Sequence, residues 1–166
     1  MTDLRRHFTA TGYIASTEAI LLHWHRKLRM WLPPGGHVEP NEDPVQAAIR
    51  EAREESGLDV RVVGGSPLVP LAFDVPDHIA PPVTILIEDI DDPVDGFHQH
   101  IDMIYFTTPT ASIGPAPDGW HWVMREALVL GADLITPDGD RVAPPPDVQE
   151  MGPMAIDAVI AESLNR

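Results

Sequence analysis

Two rhythms of hydrophobic and polar positions divide the chain. Residues 18–26 (EAILLHWHR) alternate, with Ile20, Leu22 and Trp24 on one face and Leu21, His23 and His25 on the other, as a strand requires. Residues 98–108 (HQHIDMIYFTT) repeat the pattern: His98, His100 and Asp102 share one face, and Ile101, Met103 and Tyr105 the opposite one. Strand-like composition also marks residues 8–16, 60–63, 68–73 and 83–90, the last followed by an acidic turn at Asp91-Asp92-Pro93. Between residues 44 and 56 the rhythm becomes helical, and Val45, Ala48, Ile49 and Ala52 gather on a face able to pack on a core. Asp43 is a good N-cap, Pro44 suits the first helical position, Gln46 falls where a capping box wants it, and Gly57 suits the left-handed residue that ends a helix. Residues 120–130 (WHWVMREALVL) predict a strand ending in a short helix, and residues 147–164 an amphipathic helix interrupted at Gly152-Pro153. Eighteen prolines and twelve glycines are scattered between these segments, which indicates loops rather than a disordered chain. The expectation is one α/β domain over residues 1–166.

The central helix carries the most pointed chemistry. Glu51, Glu54 and Glu55 fall within an arc of roughly 100°, since i, i+3 and i+4 are neighbours on a helix, and Arg50 flanks them. Like charges so placed are mildly destabilising, which a solvated acidic face would tolerate. Hard divalent cations, however, want several carboxylate oxygens, and Mg²⁺ is usually shared between carboxylates and substrate phosphates. Ahead of the helix, Pro33-Pro34-Gly35-Gly36 predicts a rigid turn followed by backbone that can approach a ligand closely, its carbonyls available to a cation.

The stretch from Gly36 through Glu42, Arg50, Glu51, Ala52, Glu54, Glu55 and Gly57 to Leu58 resembles the signature of the Nudix hydrolases, with every fixed position of that 23-residue box in place. The resemblance implies a mixed β-sheet sandwiched between α-helices (α/β/α). It also implies a Mg²⁺-dependent pyrophosphohydrolase, with Mn²⁺ able to substitute, that acts on a nucleoside diphosphate linked to another group. On that basis Glu51, Glu54, Glu55 and the Gly35 carbonyl would hold the metal. Glu54 would be the first choice of general base, with Glu51, His100 and Asp102 behind it, and Arg50 would fix the glutamates. Glu42 is expected to orient Arg50, and Glu39 stands as an extra ligand candidate.

Elsewhere the residues leave alternatives open. Lys27 precedes the glycine turn, where it would meet phosphate oxygens or simply be solvated; His37 would contact substrate or cap a turn. His98, His100 and Asp102 suit a metal, a phosphate or general-base work, and equally a wet strand end. His23 and His25 carry the same ambiguity. Glu126, near the start of the second helix, is a remote ligand or a residue favoured there by the helix dipole. Trp24, Trp31, Phe73, Phe97 and Trp120 are candidates to stack on a base or to fill the core.

Composition narrows the partners. A formal charge of -15 argues against sequence-independent nucleic-acid binding, which relies on Lys and Arg at phosphates. It is compatible with a nucleotide substrate once bound cations are counted. Absence of cysteine excludes thiolate metal sites and fits a reducing, cytoplasmic compartment. Neither a membrane-length apolar run nor a signal-peptide core is visible, so no membrane partner is expected. A homodimer through an exposed apolar terminal helix is a reasonable expectation. Pro70 and Pro76 do not fall where an ADP-ribose marker is expected, and the next tyrosine after the box is Tyr105, too far for the diadenosine-polyphosphate position. Elimination therefore favours a MutT-like preference for (d)NTPs or related nucleotides. The competing readings are a catalytically silent Nudix-fold regulatory domain that binds a nucleotide or protein, and an acidic structural protein.

Overall fold

The computed structural model describes residues 4–64, 77–94 and 96–165. In chain order the elements are β1 (Arg6–Ile14), β2 (Ala19–His25), β3 (Met30–Leu32), β4 (Gly35–His37), α1 (Pro44–Ser56), β5 (Val60–Val62), β6 (Thr84–Asp92), β7 (Gly96–Pro109), β8 (Trp120–Met124), α2 (Arg125–Val129), β9 (Leu134–Ile135), β10 (Arg141–Val142) and α3 (Pro146–Leu164). The strand expected over residues 68–73, with Pro70, Phe73 and Pro76, lies outside the described residues.

The described residues form three sheets. The largest is mixed, in the order β4-β1-β7-β5, with β6 also paired to β7. β1 and β7 run parallel and set His7 opposite His100 and Thr9 opposite Asp102, while β4, β5 and β6 join antiparallel. A three-stranded antiparallel sheet follows the order β3-β2-β8, and β9 pairs with β10.

Alternation along β1 and β7 decides what covers each face of the mixed sheet. Ala10 and Tyr105 pack with Ala47 and Ala48 of α1, and Ile14 packs with Ala52. From the opposite face Tyr13, Ile104 and Phe106 meet Val148, Met151, Ala155 and Ile156 of α3, together with Ile20, Leu22 and Trp24 of β2. Helices thus lie on both sides of the sheet, the expected sandwich. Burying the Val, Ile, Leu, Phe and Met side chains among these contributes on the order of 1.5–3 kcal/mol each. Among the described residues no helix is long and apolar enough to cross a membrane.

α1 forms as its termini dictate. The Asp43 carboxylate accepts from the backbone N–H groups of Val45 and Gln46, both at 2.9 Å, and Gln46 Oε1 accepts from Asp43 N–H at 3.0 Å. Gly57 closes the helix at φ 75°, a conformation that costs glycine little.

Four expectations change. The glycines after Pro33-Pro34 form strand β4 rather than a turn, pairing Gly35 with Thr11 and Gly36 with Ala10. A Cβ on Gly35 would stand 2.5 Å from Thr11 Oγ1, and one on Gly36 would fall on the Glu51 carboxylate. Close approach, not chain reversal, is why glycine stands there. Asp91 and Asp92 belong to β6, which stays paired to β7 as far as Gly96. α3 runs unbroken through Gly152-Pro153, because Gly152 is buried where a Cβ would meet Ile20 and Leu128 at 2.8 and 2.9 Å, and this packing holds the helix across the missing proline N–H. Finally, the terminal helix that was expected to be exposed buries Val148, Met151, Ala155 and Ile156 against its own chain and leaves Met154 and Leu164 open to solvent.

Candidate active site

Arg50 is the hub of the α1 rim. Its Nη2 donates to Glu42 Oε1 at 2.7 Å and to the His37 carbonyl at 3.0 Å, and its Nε donates to Glu42 Oε2 at 3.1 Å. Nη1 donates to Glu51 Oε1 at 2.8 Å and to Glu54 Oε2 at 3.1 Å. One guanidinium fork therefore spaces three carboxylates and ties them to β4, geometry a lysine ammonium lacks. The Arg50 hydrogen bonds hold the Glu42 carboxyl below its usual range. Glu42 thus serves to orient Arg50, and it also accepts from Glu39 N–H at 3.0 Å.

Glu54 is far more open than Glu51 or Glu42, its side chain 61% exposed against 15% and 12%. Glu55 turns to the other side of the rim. Its Oε2 accepts from Gly35 N–H at 3.2 Å, and the residue lines the mouth of a cleft of about 350 Å³. Part of Glu55 remains open to solvent, yet desolvation of its carboxyl, helped by the charges of Glu51 and Glu54 and opposed by the Gly35 hydrogen bond, raises its pKa to about 7.

The cleft lies between the mixed sheet and β2–β3, and the exposed Asp147 of α3 also lines it. Gly35, His37, His100, Asp102, Lys27, His23 and His25 all line it. Lys27 is ion-paired to Asp92, so its charge is already engaged. Asp102 is buried and accepts from Thr9 Oγ1 at 3.0 Å and Thr11 Oγ1 at 2.8 Å. Burial raises its pKa, and those two hydroxyls restrain the rise. Burial likewise pushes Glu88 up to about 7, with Asp102 and Asp147 adding to it. Desolvation lowers His100 to about 4, reinforced by His37, His98 and His7, and lowers His23 to about 4 with His25 adding to it. These imidazoles are neutral at pH 7.

His98 lies one pleat beyond His100, buried, with Nδ1 2.8 Å from the Gly96 carbonyl. Glu126 sits in the first turn of α2 and is not among the residues lining the cleft. The stacking candidates are settled for the tryptophans: Trp24, Trp31 and Trp120 are core residues, and His23 stacks on Trp120 at 4.5 Å. Phe97 is exposed, and neither it nor the tryptophans line the cleft.

Sequence reasoning missed His7, Thr9, Thr11, Tyr13, Glu88 and Asp147. The period-two pattern of residues 8–16 could have put Thr9, Thr11 and Tyr13 on one face, but their partner strand is set only by the β1–β7 register. Nothing local marks Glu88 or Asp147.

The donor set fits a hard divalent cation. Three carboxylates share one helical arc, two of them, Glu51 and Glu55, meet a strand whose glycines let them come close, and a carboxyl raised by burial and by its neighbours' charge is one a cation would relieve.

Comparison with known proteins agrees. The family model described as NUDIX domain matches residues 5–143. A bis(5'-nucleosyl)-tetraphosphatase [asymmetrical] from Mus musculus is 38% identical over 55 residues, 33% of this chain and 37% of that protein. An 8-oxo-dGTP diphosphatase from Proteus vulgaris is 35% identical over 83 residues, 47% of this chain and 72% of that protein. A NUDIX-family hydrolase from Clostridium perfringens superposes with a TM-score of 0.65 at 29% identity, covering 93% of this chain and 98% of that one. The matches to the first three curated relatives span only 29% to 37% of those proteins' length.

Proposed function

The chain belongs to the NUDIX family, and on that premise we propose that it is a Mg²⁺-dependent pyrophosphohydrolase of nucleoside polyphosphates, with (d)NTPs or related nucleotides as substrates. The observation that carries this reading is the approach of Glu51 and Glu55 to the Gly35-Gly36 strand under the control of Arg50. Members of the family generally use divalent metals.

Glu51, Glu54, Glu55 and the Gly35 carbonyl would hold the ion. Bound Mg²⁺ or Mn²⁺ would supply charge to neutralise the diphosphate and Lewis acidity to activate water. Glu54, open to solvent, takes the proton of the attacking water and passes it to bulk. Arg50 keeps Glu51 and Glu54 apart and aligned. His37 and His100 meet the substrate in the cleft, while Lys27 at its rim must exchange Asp92 for a phosphate to take part. Asp102, fixed by two threonines, offers a positioned acceptor. His98 stands behind His100 and bears on substrate through it.

Likeness to a bis(5'-nucleosyl)-tetraphosphatase and an 8-oxo-dGTP diphosphatase, both enzymes of nucleoside polyphosphates, supports the substrate class. The likeness to the tetraphosphatases returns dinucleoside polyphosphates to consideration, although Tyr105 lies too far along the chain for their marker position. A single domain over residues 1–166 and a small-molecule rather than nucleic-acid partner complete the reading, the latter on the charge of -15.

The test is phosphate and pyrophosphate release from dNTPs, oxidised purine triphosphates, dinucleoside polyphosphates, ADP-ribose and nucleotide sugars, in Mg²⁺ or Mn²⁺. The reading expects metal-dependent release from one of the first three groups. Turnover confined to ADP-ribose or nucleotide sugars would overturn the substrate class. Silence throughout, with nucleotide binding retained, would favour a regulatory domain.

A further inference from the structure

Four histidines from three strands converge beside the cleft, two of which, His37 and His100, line it. His7 comes from β1, His37 from β4, and His98 and His100 from β7. The parallel register sets His7 directly opposite His100, and the pleat puts His98 on the same face one step earlier. The His7 ring stacks on His98 at 5.0 Å and lies 6.1 Å from His100, and His98 and His100 are 5.1 Å apart. Each of His7, His98 and His100 offers a ring nitrogen within 4.8 Å of the other two.

We infer that His7, His98 and His100 form a second metal site, suited to a borderline ion of the zinc class and chemically separate from the carboxylate site on α1. Three imidazole nitrogens are a donor set such ions favour and Mg²⁺ does not, and three protein ligands leave a fourth position for water or an anionic ligand. The surroundings supply the orienting contacts that ligating histidines ordinarily have. His98 Nδ1 lies 2.8 Å from the Gly96 carbonyl, which fixes this nitrogen as the donor and leaves the lone pair on Nε2. His7 Nδ1 lies 3.0 Å from His37 Nε2, so His37 steers His7. His100 Nε2 is buried and has no hydrogen-bond partner among the described residues, an orphaned polar atom that an ion would satisfy.

The site has a consequence for the cleft. Its walls carry Glu55, Glu88, Asp91, Asp92, Asp102 and Asp147, and the one lysine that lines it is paired to Asp92. A cation held by the histidines brings positive charge to a cavity lined with carboxyls. An anionic group reaching the histidines would find a counter-charge and an open coordination position.

The experiment is equilibrium dialysis of the full chain against Zn²⁺ with excess Mg²⁺ to hold the carboxylate site, followed by metal analysis and zinc-edge X-ray absorption. Wild type is expected to bind about one zinc with nitrogen scatterers at about 2.0–2.1 Å. His98→Gln and His100→Gln should each weaken binding by at least about 100-fold, and His37→Ala by about 10–100-fold through His7. Glu54→Gln and Glu55→Gln should leave it unchanged. Circular dichroism without metal checks folding, and His7→Gln at the half-buried strand end serves where a buried substitution unfolds the chain. Zinc retained in the histidine variants, lost in the glutamate variants, or surrounded by oxygen alone would overturn the proposal.

Discussion

On the rim of α1, Glu42, Glu51 and Glu54 all accept hydrogen bonds from the single guanidinium of Arg50, and solvent reaches Glu54 freely. On the cleft floor, Asp102 is held by two neutral hydroxyls, and the charges acting on Glu88 are those of Asp102 and Asp147. The rim keeps its carboxylates available to a cation by giving them a permanent positive neighbour. The floor concentrates carboxyls where burial favours the protonated form. Glu55 stands between the two, touching the Gly35 backbone on the cleft side and feeling Glu51 and Glu54 on the other, and burial, aided by those two charges, raises its pKa to about 7. On the proposed reading, the same residue type serves a metal in one place and neutral or shared-proton contacts in the other.

Removing the base from the rim should have the largest effect. Glu54→Gln is expected to lower the turnover of the best substrate by about 10²–10⁴-fold, the usual range for a general base, with thermal stability nearly unchanged. Retained turnover would move the base to Glu51 or off the rim. Next in size is the hub. Arg50→Met leaves Glu42, Glu51 and Glu54 facing one another, and chemical denaturation should report a loss of about 2 kcal/mol, as for removing hydrogen bonds to charged groups. Arg50→Lys should restore only part of it, since one ammonium cannot reproduce the fork.

The floor should respond to pH instead. Glu88 titrates near 7 when folded and near 4.5 when unfolded, so between these values the folded chain holds the extra proton. Its contribution to stability is therefore present at low pH and lost as pH rises from about 4.5 to about 7. Metal-free Glu88→Gln should match wild type near pH 4 and exceed it by about 1 kcal/mol at pH 8, the figure being discounted for solvent access. His23 and His100, lowered to about 4, act in the opposite sense between about 4 and 6.5. The difference between the two proteins, rather than the wild-type curve, isolates Glu88. A difference that does not vary with pH would remove Glu88 from this account.

The smallest effect is expected at Lys27. Its pair with Asp92 is solvent-facing on the lysine side, so Lys27→Met should change stability by no more than about 0.5 kcal/mol. An effect on KM without one on kcat would identify it as a phosphate contact.

The rim was legible in the sequence and the floor was not, for a physical reason. Every signal that forms α1 is local: Asp43, Pro44 and Gln46 start it, Gly57 ends it, and Glu51, Glu54 and Glu55 share an arc by helical spacing alone. The alternation of residues 98–108 likewise put His100 and Asp102 on one face and Met103 and Tyr105 on the other, as observed. The floor instead joins Thr9 and Thr11 of β1, Glu88 of β6, Asp102 of β7 and Asp147 of α3, which only tertiary pairing brings together. His7 escaped notice because its importance depends on the parallel register opposite His100. α3 misled in the other direction: Gly152-Pro153 is a local break signal, and burial of Gly152 against Ile20 and Leu128 overrides it.

The most direct test of the central claim is phosphate or pyrophosphate release from the best nucleotide, measured for wild type and Glu55→Gln with Mg²⁺ present and after chelation. The account predicts release by wild type that requires Mg²⁺, falls to background on chelation, and is lost in Glu55→Gln while the fold persists. Release that survives chelation, or that Glu55→Gln leaves intact, would contradict the assignment of the α1 glutamates as the metal site.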